Sequence, residues 1–227
     1  MRRRSRRQGT RHGVVTHLRC APSRATLSLA PAADGANLRR ISDSGHYVVV
    51  VSTGFEPRTL ELREGTKVHL RPIVPADEPL LHEAVAAMSE RTVYFRFFSP
   101  IKRMSDALAH RLAVVDYNDR FAIVATTHRP NGKERIVGVA RYDRARGTDV
   151  AEVAVAVIDE FQRRGLGSAL LAELARVARV HAIKTFSLIV LPENREMLDL
   201  LRRMGWIHQA KLVGGVYEIS FELPEPA

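Results

Sequence analysis

A single cysteine, Cys20, stands in a chain of 227 residues. It excludes an internal disulfide and any CxxC metal or redox motif, and it fits a reducing, cytoplasmic setting. Apolar runs are short as well. Glu152, Asp159 and Glu160 interrupt the longest candidate well before the roughly 20 residues a membrane-spanning helix needs. The nine histidines are scattered without HExxH or a paired His/carboxylate spacing, so no metal site is expected. Repeats are absent after residue 66.

What is abundant is arginine, and it is unevenly placed. Residues 1–60 hold eleven arginines against Asp34, Asp43 and Glu56, which is +8 of the chain's formal +10. The other 167 residues carry about +2 and are close to balance. Residues 1–60 therefore read as a basic, disordered or loosely ordered extension: a tail, or an upstream stretch from a misassigned start codon. An Arg-rich targeting peptide, or contact with nucleic acid or an anionic membrane, is the rival reading, without a specific motif behind it. Within this stretch the apolar run Val48–Val51 can pair as an edge strand.

From residue 66 the pattern turns regular. Apolar side chains alternate in Lys67-Val68-His69-Leu70-Arg71-Pro72-Ile73 as in a half-buried strand. Pro75-Ala76-Asp77-Glu78 opens a helix, and Ser105 caps a second one. Strand-like segments at 121–127, 135–143 and 150–158 follow, joined by short Gly-containing turns that predict an antiparallel meander. A helix over 165–181, a strand over 185–191, a helix over 194–204 and a hairpin of 206–212 with 216–223 complete the chain. A meander feeding a βαβ unit predicts an α+β domain over residues 66–223, with one mixed, mostly antiparallel sheet of six to seven strands and helices on both faces. Tyr94-Phe95-Arg96-Phe97-Phe98, between the first two helices, reads as core rather than as a groove wall.

The strongest chemical signal is Gln162-Arg163-Arg164-Gly165-Leu166-Gly167, between a hydrophobic strand and an amphipathic helix. Glycines there allow a tight turn that presents several N–H groups and a helix N-terminus to an anionic phosphate. Leu170 occupies the third glycine position of a dinucleotide fingerprint, and no Gly-Lys-Ser/Thr follows, so neither common nucleotide motif applies. Arg163 and Arg164 can add charge pairing to the phosphates. In residues 149–157, strand alternation puts Val153, Val155 and Val157 on one face and Glu152, Ala154 and Ala156 on the other. A carboxylate beside two small side chains suggests a groove wall with a general base, against the simpler reading of a solvent-facing strand glutamate.

Val-Ala-Val-Ile-Asp-Glu-Phe-Gln-Arg-Arg-Gly-Leu-Gly-Ser-Ala-Leu-Leu, residues 155–171, resembles the acetyl-CoA-binding motif of GNAT N-acetyltransferases. Leu191-Pro192-Glu193-Asn194 and Met204-Gly205-Trp206 follow in that family's order. The resemblance implies the GNAT fold, with acetyl-CoA as cosubstrate. It implies that the backbone of Val155, Ala156 and Val157 receives the pantetheine amides and that Gln162, Arg163, Arg164, Gly165, Leu166, Gly167 and Ser168 surround the pyrophosphate. Asn194 is either a ligand of the pantetheine arm or a helix cap.

Arg71-Pro72-Ile73, Tyr94 to Ser99, Ile136 to Arg141 and Glu193 to Leu198 are similar, more narrowly, to the GNAT domains of bacterial protein lysine acetyltransferases that modify acyl-CoA synthetases. That similarity implies a protein lysine as acceptor and Glu152 as its catalytic base. Acetylation of a small amine is the nearest alternative, and a non-catalytic acyl-CoA sensor a more distant one; nucleic acid and membrane are not expected partners. Some of these relatives carry a cyclic-nucleotide or synthetase-like domain, for which a 60-residue leader is too short. Many GNAT enzymes carry a proton-donating tyrosine seven residues after the asparagine matching Asn194, where this chain has Leu201. Water, Tyr142 or Tyr217 would have to replace it.

Overall fold

A computed structural model describes residues 14–15, 36–40, 47–51, 53–207 and 210–223. The chain divides into two units, Met1–Glu56 and Pro57–Ala227. In the first, β1 (Val14–Val15), β2 (Ala36–Arg40) and β3 (Tyr47–Val51) form an antiparallel sheet in the order β1-β3-β2. The valine run expected as an edge strand is thus the central strand of three. The expectation for the remainder of residues 1–52 lies outside the described residues.

The second unit is built on an eight-stranded sheet. Its strands are β4 (Arg58–Glu61), β5 (Lys67–Pro72), β6 (Arg120–His128), β7 (Glu134–Arg144), β8 (Val150–Val157), β9 (Thr185–Val190), β10 (Ala210–Val213) and β11 (Val216–Glu222). They lie in the order β10-β11-β9-β8-β7-β6-β5-β4. Every neighbouring pair is antiparallel except β8 and β9. The sheet exceeds the expected six to seven strands by β4, which has one apolar residue, Leu60, and no alternation to announce it. At the other edge, Trp206 precedes its expected strand and instead stacks on Phe221, with ring centroids 4.6 Å apart.

The helices are α1 (Glu78–Ala86), α2 (Glu90–Phe97), α3 (Asp106–Ala113), α4 (Leu166–Val180) and α5 (Arg195–Arg203). Ser105 caps α3 as expected, accepting from the Leu108 amide. The helix α2 had not been read from the sequence. Its signal is Ser89, whose hydroxyl accepts from the Thr92 amide.

Two faces of the sheet are distinguished by strand alternation. Leu166, Leu170, Leu171, Leu174 and Val177 of α4 are buried against the face that carries Gly138 and Val157. Val139, Arg141 and Ala156 point the opposite way and line a groove with residues of α1, α2 and α3. Close helix–sheet approach explains Gly138: a Cβ there would lie 2.9 Å from Leu170 Cδ1 and 3.2 Å from Leu166 Cδ2. Both leucines are fully buried and cannot swing into solvent. Gly138→Ala is therefore expected to destabilise the fold by about 1–3 kcal/mol from overpacking, despite the entropic advantage of alanine. Urea unfolding checks it; a rise in stability would show that α4 moves away freely.

Candidate active site

The strands β8 and β9 pair at Val150↔Thr185, Ala151↔Phe186 and Glu152↔Ser187, and no further, although β8 runs on to Val157 and β9 to Val190. They part after Glu152. The Ile158 amide donates to the Val137 carbonyl, 3.0 Å, in register with Val139↔Ala156, so the even-numbered backbone groups of β8 face β7. The backbone of Val153, Val155 and Val157 accordingly faces the gap. An extended ligand with alternating amides can pair there as an added strand would. Of the three residues expected to do this, Val155 and Val157 present their backbone to the gap, while Ala156 presents its methyl to the opposite face and its backbone to β7.

At one end of the gap lies the glycine loop. Arg163 and Gly165 take left-handed conformations, φ 60° and 90°, and Gly165 caps α4 with no side chain on the helix end. Among the described residues, the amides of Gly165, Leu166, Gly167 and Ser168 find no protein acceptor. Four free amides at the N-terminus of a 15-residue helix form an anion cradle. Leu166 contributes only its amide, since its side chain is buried in the core. The Ser168 hydroxyl donates to the Gly165 carbonyl at 2.8 Å and tightens the turn. Arg163 is exposed at the loop's apex. Arg164 is partly engaged: it pairs with Glu64 at 2.9 Å and lies over the Phe161 ring, as does Arg135.

Gln162 turns out to be a brace. Its side-chain amide donates to the Val157 carbonyl at 2.9 Å and to the Thr92 hydroxyl at 3.1 Å. Asp159 accepts from the Ser89 amide at 2.8 Å, from the Ser89 hydroxyl at 2.6 Å and from the Thr92 hydroxyl at 3.0 Å. The first turn of α2 is thereby fastened to the segment leading into the loop. Burial alone would raise the Asp159 carboxyl, but the donors Ser89 and Thr92 outweigh it and hold the carboxyl below its ordinary range. With a depressed folded pKa, its stabilisation is complete above the unfolded value of about 3.9 and is lost as pH falls through the folded one. Asp159→Ala is expected to cost about 0.5–1.5 kcal/mol and to speed hydrogen exchange in α2 selectively. Unchanged exchange over residues 90–97 would show that the helix is held elsewhere.

Glu152 sits where the strands part. It is exposed, on the face of the half-buried Ala154 and Ala156, and its strand partners are Asp143 and Ser187. Two carboxylates directly opposite on neighbouring strands repel. Arginines answer that repulsion at Asp143: Arg120 reaches it at 2.9 Å and Arg141 at 3.1 Å. Burial would raise the Asp143 carboxyl, and these two guanidinium groups pull it below its usual range. Arg96 of α2 stands in the same electrostatic field, half-buried and pushed down to about 10, first by burial and then by Arg141. Sequence reasoning missed Arg96, Arg141 and Asp143 as parts of the site. The alternation of residues 135–143 carried the signal for the last two, because it puts a charged pair on a face that should be apolar.

The aromatic segment is not core, contrary to expectation: Tyr94 and Phe98 are 43% and 44% exposed, and of α2 only Val93 is buried. An eight-residue helix standing on a groove rather than on the sheet leaves its rings half in water. Tyr142 is fully buried and donates its hydroxyl to the Asn118 carbonyl at 2.9 Å, with its pKa raised by burial. It points to the α4 face, away from Glu152, and is no proton donor there. Tyr217 lies on β11, separated from β8 by β9. Leu201 is wholly buried. Asn194 caps α5, its side-chain oxygen accepting from the Met197 amide at 3.2 Å.

Parted parallel strands, a glycine turn with free amides at one end and a carboxylate at the other lie along one gap of the sheet. Residues 86–206 match the model of the acetyltransferase (GNAT) family. An acetyltransferase of Pseudomonas aeruginosa is 32% identical over 148 residues, covering 65% of this chain and 79% of that one. The acetyltransferase Pat of Mycolicibacterium smegmatis is 31% identical over 156 residues, 67% of this chain and 46% of that longer protein. The solved GNAT domain of S. lividans PAT superposes with a TM-score of 0.68 at 33% identity, over 74% of this chain and 97% of that domain. The chain belongs to the GNAT family and is an N-acetyltransferase. No helix among the described residues is long and apolar enough to cross a membrane.

Proposed function

We propose that the protein transfers acetyl from acetyl-CoA to the ε-amine of a lysine in a protein acceptor, with Glu152 as general base. The observation that carries this reading is the position of Glu152 at the point where β8 and β9 part, beside the small Ala154 and Ala156. In this reading the pyrophosphate lies on the amides of Gly165 to Ser168, and the pantetheine arm runs along the backbone of Val155 and Val157. The thioester is thereby delivered toward Glu152.

Lysine must lose a proton before it can attack. At pH 7, with a reference pKa of about 10.4, that costs roughly 4.6 kcal/mol. Glu152 accepts the ammonium proton, directly or through a water; the neutral nitrogen bonds to the thioester carbon, the carbon–sulfur bond breaks, and the second proton shed by the nitrogen goes to the departing sulfur. The oxyanion formed in between is within the province of the β8 amides that face the gap. The thiol of coenzyme A, with a pKa near 8.5, is a good leaving group that needs little acid help and takes up the proton that the nitrogen loses, so the absence of a tyrosine at Leu201 is tolerable.

Support for a protein acceptor comes from likeness to proteins named Pat and PAT, at 31% and 33% identity. An acyl-CoA synthetase is the first candidate acceptor, from the family resemblance. The test is incubation with isotopically labelled acetyl-CoA, a purified acyl-CoA synthetase and a panel of polyamines, amino acids and aminoglycosides. Acetyl-lysine on the protein is the expected product. Label confined to the small amines would overturn the reading.

A further inference from the structure

Arg96 is on the last turn of α2, half-buried, and lines with Phe97, Arg141, Val139 and Ala156 the groove on the Glu152 face of the sheet. No carboxylate among the described residues forms an ion pair with it; the contact it makes is with the ring of its neighbour Phe97, 4.9 Å from the centroid. The acids in its field are Asp143 and Glu152. Asp143 is already taken by Arg120 and Arg141. Arg96, Arg111 and Arg141, with Arg120 on Asp143, thus outnumber the two acids in the field of Arg96. A half-buried guanidinium held for structure alone normally has a partner, as Arg71 does in its paired bonds of 2.8 Å to Asp77.

We propose that Arg96 is an acceptor-recognition residue, whose guanidinium receives a carboxylate of the acceptor close to the amine that is presented to Glu152. For a protein acceptor this is an Asp or Glu side chain near the target lysine; that form rests on the reading under Proposed function. A planar fork of donors suits a carboxylate, and desolvation within the groove strengthens the pair. The lowered pKa of the group agrees with a cation awaiting its counter-ion. A carboxylate bound at Arg96 also offsets the positive field that would otherwise repel an incoming ammonium.

The test uses matched lysine peptides that differ only in Glu, Gln or Lys at positions flanking the target, with the full chain, Arg96→Gln and Arg96→Glu. The unmodified protein is expected to prefer the Glu peptide over the Gln peptide by about ten- to a hundred-fold in kcat/KM, chiefly through KM. Arg96→Gln should bring that ratio to about one, and Arg96→Glu should turn the preference toward the Lys-flanked peptide. Matched amino acids and their decarboxylated amines form the second arm. Peptides acetylated with no acidic preference, or with one that survives Arg96→Gln, overturn the assignment and leave the lysine reading intact. Turnover confined to small amines, with an Arg96-dependent preference for the carboxylate-bearing ones, overturns the lysine reading and upholds the assignment. If no acceptor is turned over, both fall. A shift of the acidic limb of the kcat profile with an unchanged acceptor ratio would mean that Arg96 acts only on Glu152, which also overturns it.

Discussion

Glu152→Gln is expected to lower kcat by about 10²–10⁴ at neutral pH, while acetyl-CoA affinity stays within a few-fold. Glutamine keeps the volume and reach of the side chain and removes only its basicity. On the proposed function the donor lies on the glycine loop and the β8 backbone, which the substitution does not touch. The substitution leaves the fold intact for a physical reason: Glu152 is exposed, and the repulsion from Asp143 that its neutralisation relieves is offset by the attraction to Arg96 that it removes. The thermal midpoint should hold. As pH climbs from about 6.5 to about 9.5, a growing fraction of lysine is already neutral and the deficit should shrink. Rate profiles against one acceptor measure both effects. Normal turnover at pH 7 would return Glu152 to the role of a surface strand residue.

Gly165→Arg should weaken acetyl-CoA binding by about 10²–10³-fold. A bulky side chain at the cap of α4 stands over the four free amides and blocks at least two charge-assisted hydrogen bonds, each worth about 1.5–3 kcal/mol. Steric blockage must be separated from backbone strain, because φ at Gly165 is 90° and any side chain there is disfavoured. Gly165→Ala supplies the control: its Cβ would meet nothing nearer than Arg63 Nε at 3.7 Å, so it carries the strain without the bulk. Both variants should lose about 1–2 kcal/mol of stability, and only the arginine should lose most of the affinity. Calorimetry with acetyl-CoA decides it. Equal affinities for the two variants would place the pyrophosphate away from this turn.

Much of this domain could be read directly because its signals are local. Strand alternation in residues 150–157 sorted Val153, Val155 and Val157 from Glu152, Ala154 and Ala156; Val153 and Val157 are buried and Glu152 is exposed, while Ala154, Val155 and Ala156 are all half-buried where the strands part. The spacing of Leu166, Leu170, Leu174 and Val177 located α4 to within a residue at each end. Gly214 and Gly215, at φ 56° and 84°, form the expected hairpin turn. Elements held by partners rather than by their own pattern were not legible. The edge strand β4 has no buried face of its own, and α2 depends on hydrogen bonds to Asp159 and Gln162, some seventy residues away. For the same reason the sequence shows nothing of the bonds by which the Gln162 side chain braces the end of β8 against α2. The parting of β8 from β9 is invisible in sequence, since both strands are apolar on either side of it.

That brace has a kinetic meaning. Residues 159–162 touch α2 at one end and run into the glycine turn at the other, so on the proposed function the wall of the acceptor groove and the donor cradle would share one short piece of backbone. A donor that stiffens the turn spends part of its binding free energy on ordering α2, and an acceptor that orders α2 stiffens the turn in return. By linkage the two substrates then favour each other's binding by one common factor. On the proposed function, an enzyme without its donor would then hold acceptor less well than one carrying acetyl-CoA, so that an acceptor would be released more readily when no acetyl group is there to transfer.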